Sequence, residues 1–331
     1  MFAALALAGL LINPPTQRIG LALNVPEPAG PAGFMAAMRK QIRLGLDGEN
    51  ISLKWDEYET SSKGLEDGIN GAVFMGQQPL LTISTIDTVR RRVPADIATT
   101  PWDDPKFEHR FDAFLQGLAP KLKDKVGWIS LGNEVNVYLA QHPDETASYL
   151  KFLAHERELL HGLLPGVPVG VTVTCADGQK APEIVKALQE GMDVTVFTYY
   201  PLDGFKVQPL SEVPKGFEFM LSIAGSRPML LQEIGYPASP LNGSSEDQQA
   251  QFVSAVFDQL KAHQDQIPLG CFFIQGDFSE AQLSVLDTYY GVNAPEFHAF
   301  LGSLGLCDAK GKPRKAWAVF TKECLGLKPV Q

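Results

Sequence analysis

Two short stretches put carboxylates where they can do chemistry: Gly132-Asn133-Glu134 and Gln232-Glu233-Ile234-Gly235. Each closes an apolar, strand-like run, 126–131 in the first case and 228–231 in the second. A carboxylate at the C-terminal tip of a buried strand costs desolvation energy unless its surroundings compensate for it or use it. Taken singly, either glutamate reads equally well as a salt-bridge partner or as the cap of a following helix. Taken together, two carboxyl groups facing one sugar ring are what cleavage of a glycosidic bond requires. One protonates the leaving oxygen, and the other attacks the anomeric carbon or directs water at it.

To do this, the two strand ends must reach one mouth. Eight apolar, β-rich runs follow one another at 18–25, 51–58, 79–86, 126–132, 167–174, 193–199, 229–232 and 269–274. Most are unbroken rather than alternating, as parallel strands buried on both faces are. Helical patterns lie between them, at 33–46, 106–122, 146–164, 181–190, 245–261, 294–304 and 315–325. The first places Met35, Met38, Ile42 and Leu46 on its apolar side, and Phe107, Phe111, Phe114, Leu115 and Leu118 line the second. Ser245-Glu246-Asp247-Gln248 reads as a helix start. Eight strands interleaved with helices predict an α/β fold, a (β/α)8 TIM barrel, formed as one domain over 18–331. A doubly wound sheet would also alternate, but neither a dinucleotide-type nor a P-loop glycine turn is present.

In that barrel Glu134 ends strand four and Glu233 ends strand seven. Catalytic groups of TIM barrels sit on this face, and strands four and seven lie nearly opposite each other across a mouth only a few side chains wide. A separation of roughly 5 Å suits retaining hydrolysis, with one carboxyl as nucleophile and the other as acid and then base.

With these motifs in this order, the chain resembles the clan A glycoside hydrolases, retaining barrel enzymes with Asn-Glu on strand four and Glu on strand seven. The resemblance implies that Glu134 is the general acid/base, that Asn133 holds the sugar 2-hydroxyl and that Glu233 is the nucleophile. It also implies that Tyr200, in Phe197-Thr198-Tyr199-Tyr200-Pro201, donates to the nucleophile. Tyr-Tyr-Pro together with Gly-Asn-Glu is similar to the β-1,4-galactanase family over a few residues. The closing segment 305–317 is similar to the turn that leads into the last barrel helix of many such hydrolases. The chain departs from the pattern at strand eight, where many members carry a tryptophan and this one has Phe272-Phe273-Ile274-Gln275-Gly276-Asp277. The implied activity is hydrolysis of β-glycosidic bonds in an oligo- or polysaccharide by double displacement. Endo action is preferred because no large insertion is evident to wall the cleft. The rivals are a non-catalytic barrel that binds carbohydrate or protein, and a transglycosylase using the same two glutamates.

Sugar binding needs aromatic faces and polar edges. Trp55, Trp102, Tyr138, Tyr200, Tyr236 and Phe278 fall in or near strand-end loops, and core packing is the competing account for each. Trp102 stands out because its loop, 99–104, is polar. Asp277, after strand eight, either holds a sugar hydroxyl or caps a turn. Mid-strand Trp128 reads as core. The run Arg90-Arg91-Arg92 could meet an anionic sugar, although a solvated charge cluster is the default.

The bulk properties narrow the field. With 331 residues, 45% of them hydrophobic, there is material for a sizeable core. A net charge of -10 argues against a nucleic-acid partner and is compatible with a neutral carbohydrate substrate. No cofactor motif and no metal set stand out among the six histidines and four cysteines, and no serine-hydrolase elbow is present. Cys175 and Cys271 read as small buried residues, whereas Cys307 and Cys324 flank the last helix and could be bridged. Residues 1–17 begin with an apolar stretch containing Ala6-Leu7-Ala8. It reads as the remnant of an export signal, hence a secreted or periplasmic protein. A mis-assigned start in a cytoplasmic protein, or a strand under the barrel floor, are the alternatives. The stretch is too short to span a bilayer.

Overall fold

A computed structural model describes residues 17–327, so the readings of the N-terminal apolar stretch fall almost wholly outside it. Eight parallel strands form the barrel: β1 Arg18–Leu21, β2 Gly48–Lys54, β3 Gln78–Asp87, β4 Trp128–Asn133, β5 in two pieces (Val169–Gly170 and Thr172–Thr174), β6 Thr195–Tyr199, β7 Met229–Ile234 and β8 Leu269–Phe272. Each pairs with its successor from β2 to β8, and β8 pairs with β1. Between β1 and β2 the backbones touch through two glycines. A Cβ on Gly20 would lie 2.9 Å from the Gly48 carbonyl oxygen, and one on Gly48 would lie 3.0 Å from the Gly20 nitrogen. Any larger residue at either position would push these strands apart, so the pair closes the barrel.

Eight helices cover the outside: α1 Pro31–Leu44, α2 Lys63–Phe74, α3 Pro105–Leu122, α4 Thr146–Leu163, α5 Pro182–Gln189, α6 Val213–Ala224, α7 Glu246–Ala262 and α8 Lys315–Gly326. Six of them fall on helical patterns read in the sequence, whereas α2 and α6 had no counterpart there. Asp104 caps α3 by accepting from Lys106 N, Ser245 caps α7 by accepting from Gln248 N, and prolines open α1, α3 and α5. Inside the barrel, Leu80, Trp128, Val194, Val196, Leu230, Leu269 and Cys271 pack into an apolar plug at the lower level. Trp128 therefore belongs to the core.

Four expectations need correction. The stretch 55–58 is not strand; Trp55–Tyr58 is a helical turn that carries the chain off the barrel. Helix α1 turns Ala37, Gln41 and Leu44 inward, leaving Met35 47% and Ile42 56% exposed. A buried polar anchor outweighs the methionine face here, because Gln41 Nε2 donates to the Leu21 carbonyl and to Gln275 Oε1, both at 2.8 Å. The Cys307–Cys324 bridge is not formed, and all four cysteines are buried without a disulfide. Finally, two helices, Glu280–Tyr290 and Pro295–Leu301, are inserted between β8 and α8, and the first of these had no counterpart in the sequence reading.

Candidate active site

Beneath the mouth, the apolar plug gives way to a polar layer. Thr82 from β3 and Thr172 from β5 both donate to Gln232 Oε1 of β7, at 2.8 and 2.6 Å. Gln232 Nε2 in turn donates to Asn133 Oδ1 of β4 at 2.7 Å. Every polar atom of this buried amide is thus spoken for, which fixes its position. It joins the two strands that carry the glutamates.

Local backbone irregularity aims both carboxyl groups into the same space. In a regular strand, Gln232 and Glu233 would point to opposite faces. The register slips between Leu231 and Glu233 against β6, and between Leu231 and Ile234 against β8. This bulge lets both side chains serve the mouth. On β4, Gly132 has φ +96° and Glu134 itself is left-handed, with φ 49° and ψ 41°. A Cβ on Gly132 would sit 2.4 Å from Val135 Cγ1 and 2.6 Å from the Tyr149 hydroxyl, so only glycine permits the turn. A non-glycine residue held at positive φ stores strain that the surrounding structure must hold in place.

The carboxyl groups have different neighbours. Glu134 accepts from Thr198 Oγ1 at 2.7 Å and from Thr88 Oγ1 at 2.8 Å. Glu233 accepts from the Tyr200 hydroxyl at 2.6 Å, with Gln232 Nε2 at 3.5 Å from its other oxygen. Asn133 Nδ2 lies 3.5 Å from Thr88 Oγ1 and donates to Asp87 Oδ1 at 2.9 Å. A continuous polar path therefore runs from Glu134 through Thr88, Asn133 and Gln232 to Glu233. Burial pushes both carboxyl groups up. Glu233 rises to about 7, with the Glu134 charge as the second cause and the Tyr200 and Gln232 donors opposing them. Glu134 is raised by burial, opposed by the two threonine hydroxyls. Tyr200, buried beside Glu233, is held far above the usual phenol range and stays a donor.

The inserted helix Glu280–Tyr290 covers one side of the mouth. Tyr289 donates to Asp87 Oδ2 at 2.6 Å, and Lys54 Nζ lies 3.5 Å from the same oxygen. Tyr290 lies close enough to feel the charge of Glu134, Asp87 and Glu233. The Tyr200 ring meets Phe273 and Phe300 edge-on, at centroid distances of 6.4 and 5.7 Å. Phe273 follows β8, where the clan pattern would have tryptophan.

Of the residues singled out in the sequence, Glu134, Glu233, Asn133 and Tyr200 meet here. Trp55 and Trp102 do not. Both are fully buried among Phe107, Phe111, Phe114, Tyr149 and Phe152, outside the strands, and neither can offer a face to a sugar. The polar loop around Trp102 misled because its indole is satisfied internally. Nε1 donates to Glu145 Oε2 at 2.6 Å, and the Arg91 guanidinium stacks 3.9 Å above the ring. Asp277 is also removed as a sugar ligand. It is 5% exposed, accepts from Arg314 at 2.7 Å and from Gly305 N at 2.8 Å, and so fastens the last loop. Tyr138 and Tyr236 are buried, and Phe278 packs on Phe273. The arginine run splits: Arg92 pairs with Asp56 and Glu57, Arg91 stacks on Trp102, and exposed Arg90 lies 3.9 Å over Tyr289. Thr88, Thr198, Asp87, Gln232, Tyr289 and Tyr290 were missed as site residues. Thr198, within the run 197–201, and Gln232, within the run 232–235, were the two that the quoted motifs already contained.

No protein-family model matches the chain, and no curated protein is similar to it in sequence. Solved structures are similar in fold. A GH5_18 protein from Streptomyces cattleya in complex with Manβ1-4GlcNAc superposes with a TM-score of 0.71 at 16% identity, over 96% of this chain and 82% of that one. The exo-β-1,4-mannosidase Op5Man5 from Opitutaceae bacterium strain TAV5 gives 0.72 at 15% identity, over 94% of this chain and 59% of that one. Xylanase 10B from Thermotoga maritima gives 0.63 at 12% identity, over 94% and 95%. The chain thus has the TIM-barrel fold of clan A glycoside hydrolases. Among the described residues no helix is long and apolar enough to cross a membrane.

Proposed function

We propose that this barrel hydrolyses β-glycosides with retention, Glu233 acting as nucleophile and Glu134 as acid and then base. The carrying observation is that the two strand-end carboxyl groups, both raised by burial, share one polar network at the mouth, and that among the described residues Glu233 alone of the two accepts from a phenol. Two buried like charges that act on each other are not both favoured at neutral pH, so the pair holds one proton. Tyr200 and Gln232 favour the ionised form of Glu233. The Thr88 and Thr198 hydroxyls can turn to accept as well as donate, so a proton on Glu134 stays satisfied. Glu134 then protonates the leaving oxygen while Glu233 attacks. Once Glu233 is esterified its charge is gone, and Glu134 can lose its proton to activate water.

The helix Glu280–Tyr290, tied to β3 through Tyr289 and Asp87, walls the side of the mouth that the sequence reading left open. This favours a pocket, and exo action on a short β-linked saccharide, over the endo action expected from sequence. β-Mannosides are the first substrates to try, because two of the similar structures carry mannose or mannosidase in their names. A panel of aryl β-glycosides followed by proton NMR of the first-formed hemiacetal tests the stereochemistry. The β-anomer is expected first, and an α-anomer first would exclude double displacement.

Tyr200→Phe should retain the fold and move the acidic limb of kcat/KM upward. A hydrogen bond to a charged group is worth about 1.5–3 kcal/mol, so losing it raises the pKa of Glu233 by about one to two units. Glu233 works ionised, so activity is then lost at a higher pH as the solution is acidified. A pH–rate profile of the variant against wild type checks the direction.

A further inference from the structure

Away from the mouth, on the helical shell between α3 and α4, sits a carboxylate with no evident use. Glu156 is 0% exposed, and among the described residues neither of its oxygens has a hydrogen-bond partner. A bare buried carboxylate is among the costliest groups a fold can carry. A basic side chain, a proton or a metal ion can relieve it. The adjacent Arg157 turns away, pairing with Asp193 and Glu158. Burial pushes its carboxyl up to about 9, and the acidic groups that face it, Asp112 and Glu108 of α3, add to the rise.

The third neighbour changes the chemistry. His155, next to Glu156 on α4, puts Nε2 3.0 Å from Asp112 Oδ1 of α3. One ligand atom each from Asp112, His155 and Glu156 lie within 4.8 Å of one another. Ligands bound at 2.0–2.2 Å around a tetrahedral ion stand about 3.4 Å apart, so small side-chain adjustments bring these three onto one ion. We propose that Asp112, His155 and Glu156 form a divalent transition-metal site, of the zinc type, that staples α3 to α4. Two carboxylates and an imidazole suit Zn²⁺ and disfavour Ca²⁺, which takes oxygen ligands alone. The remaining coordination position is open to water, and the half-exposed His155 and Asp112 side chains, 42% and 22% accessible, give an ion its entry. The site lies outside the barrel mouth, so its contribution is to hold two helices together.

The test uses the full chain, stripped with chelator and titrated with Zn²⁺ by calorimetry, with Co²⁺ absorption as a second reading of the ligand set. Wild type should take up one ion per chain saturably at micromolar concentration and gain several degrees in Tm. His155→Ala, at an exposed position, and Glu156→Gln, which keeps the shape, should each weaken uptake by about tenfold or more and abolish the gain in Tm. Uptake undiminished in either variant would overturn the site. So would the absence of saturable uptake by wild type. In that case Glu156→Gln should itself raise the Tm of the metal-free protein, the mark of a carboxyl pair sharing a proton.

Discussion

Glu233→Ala should lower kcat on every substrate by on the order of 10⁴–10⁶-fold, the loss expected when a covalent nucleophile is removed from a site that keeps its other groups. The loss should not depend on the leaving group, because no glycosyl-enzyme can form whatever departs. Shortening the side chain leaves a gap beside Tyr200 that a small anion can fill. Azide or formate should therefore restore part of the rate, and azide should yield the glycosyl azide of inverted, α configuration. The fold should survive, since Glu233 contacts the network through Tyr200 and Gln232 and Gln232 keeps its Thr82, Thr172 and Asn133 bonds. A rate within tenfold of wild type would remove Glu233 from the chemistry.

Glu134→Ala should behave differently, and the contrast is the sharper test of roles. General acid–base assistance is worth about 10²–10⁴-fold, and that loss should appear in full for glycosides whose leaving groups need protonation. Activated aryl glycosides leave unaided, so their first step is nearly spared and the glycosyl-enzyme accumulates, lowering KM. Azide, entering where the base stood, should give the β-glycosyl azide. The basic limb should change as well. It reports loss of the Glu134 proton, so Glu134→Gln, which cannot ionise, should remove the basic limb and leave the acidic limb set by Glu233 in place. Equal losses for good and poor leaving groups would contradict the acid/base role.

The barrel was legible in the sequence because its strands are unbroken apolar runs separated by helical patterns, and each of the eight runs overlaps an observed strand. The two glutamates were legible for a related reason, since a carboxylate closing such a run is conspicuous. What aims them was not. The slip in register at Gln232-Glu233 and the left-handed backbone at Glu134 are decided by pairing with neighbouring strands and by packing under Gly132, which no local pattern encodes. The tryptophans failed for the opposite reason. A polar loop looks solvated in sequence, yet Trp102 finds Arg91 and Glu145 once the chain folds back. The helix Glu280–Tyr290 was overlooked although its signal is present. Ser279 and Gln282 form a capping box, with Ser279 N donating to Gln282 Oε1 at 2.8 Å and Gln282 N donating to Ser279 Oγ at 3.4 Å. The polar layer of Thr82, Thr172 and Gln232 has no sequence signature, because threonine and glutamine in a strand look alike whether they face the barrel axis or the helices.

The central claim is that Glu233 bonds covalently to a sugar held against Glu134. Incubation with 2-deoxy-2-fluoro β-glycosyl fluorides, β-mannosyl first, slows turnover of the glycosyl-enzyme so that intact mass and peptide mapping can find it. The account predicts one added fluoro-sugar per chain, carried by the peptide containing Glu233 and absent in Glu233→Ala. A label on another residue, or sugar binding without any label across the series, would contradict it.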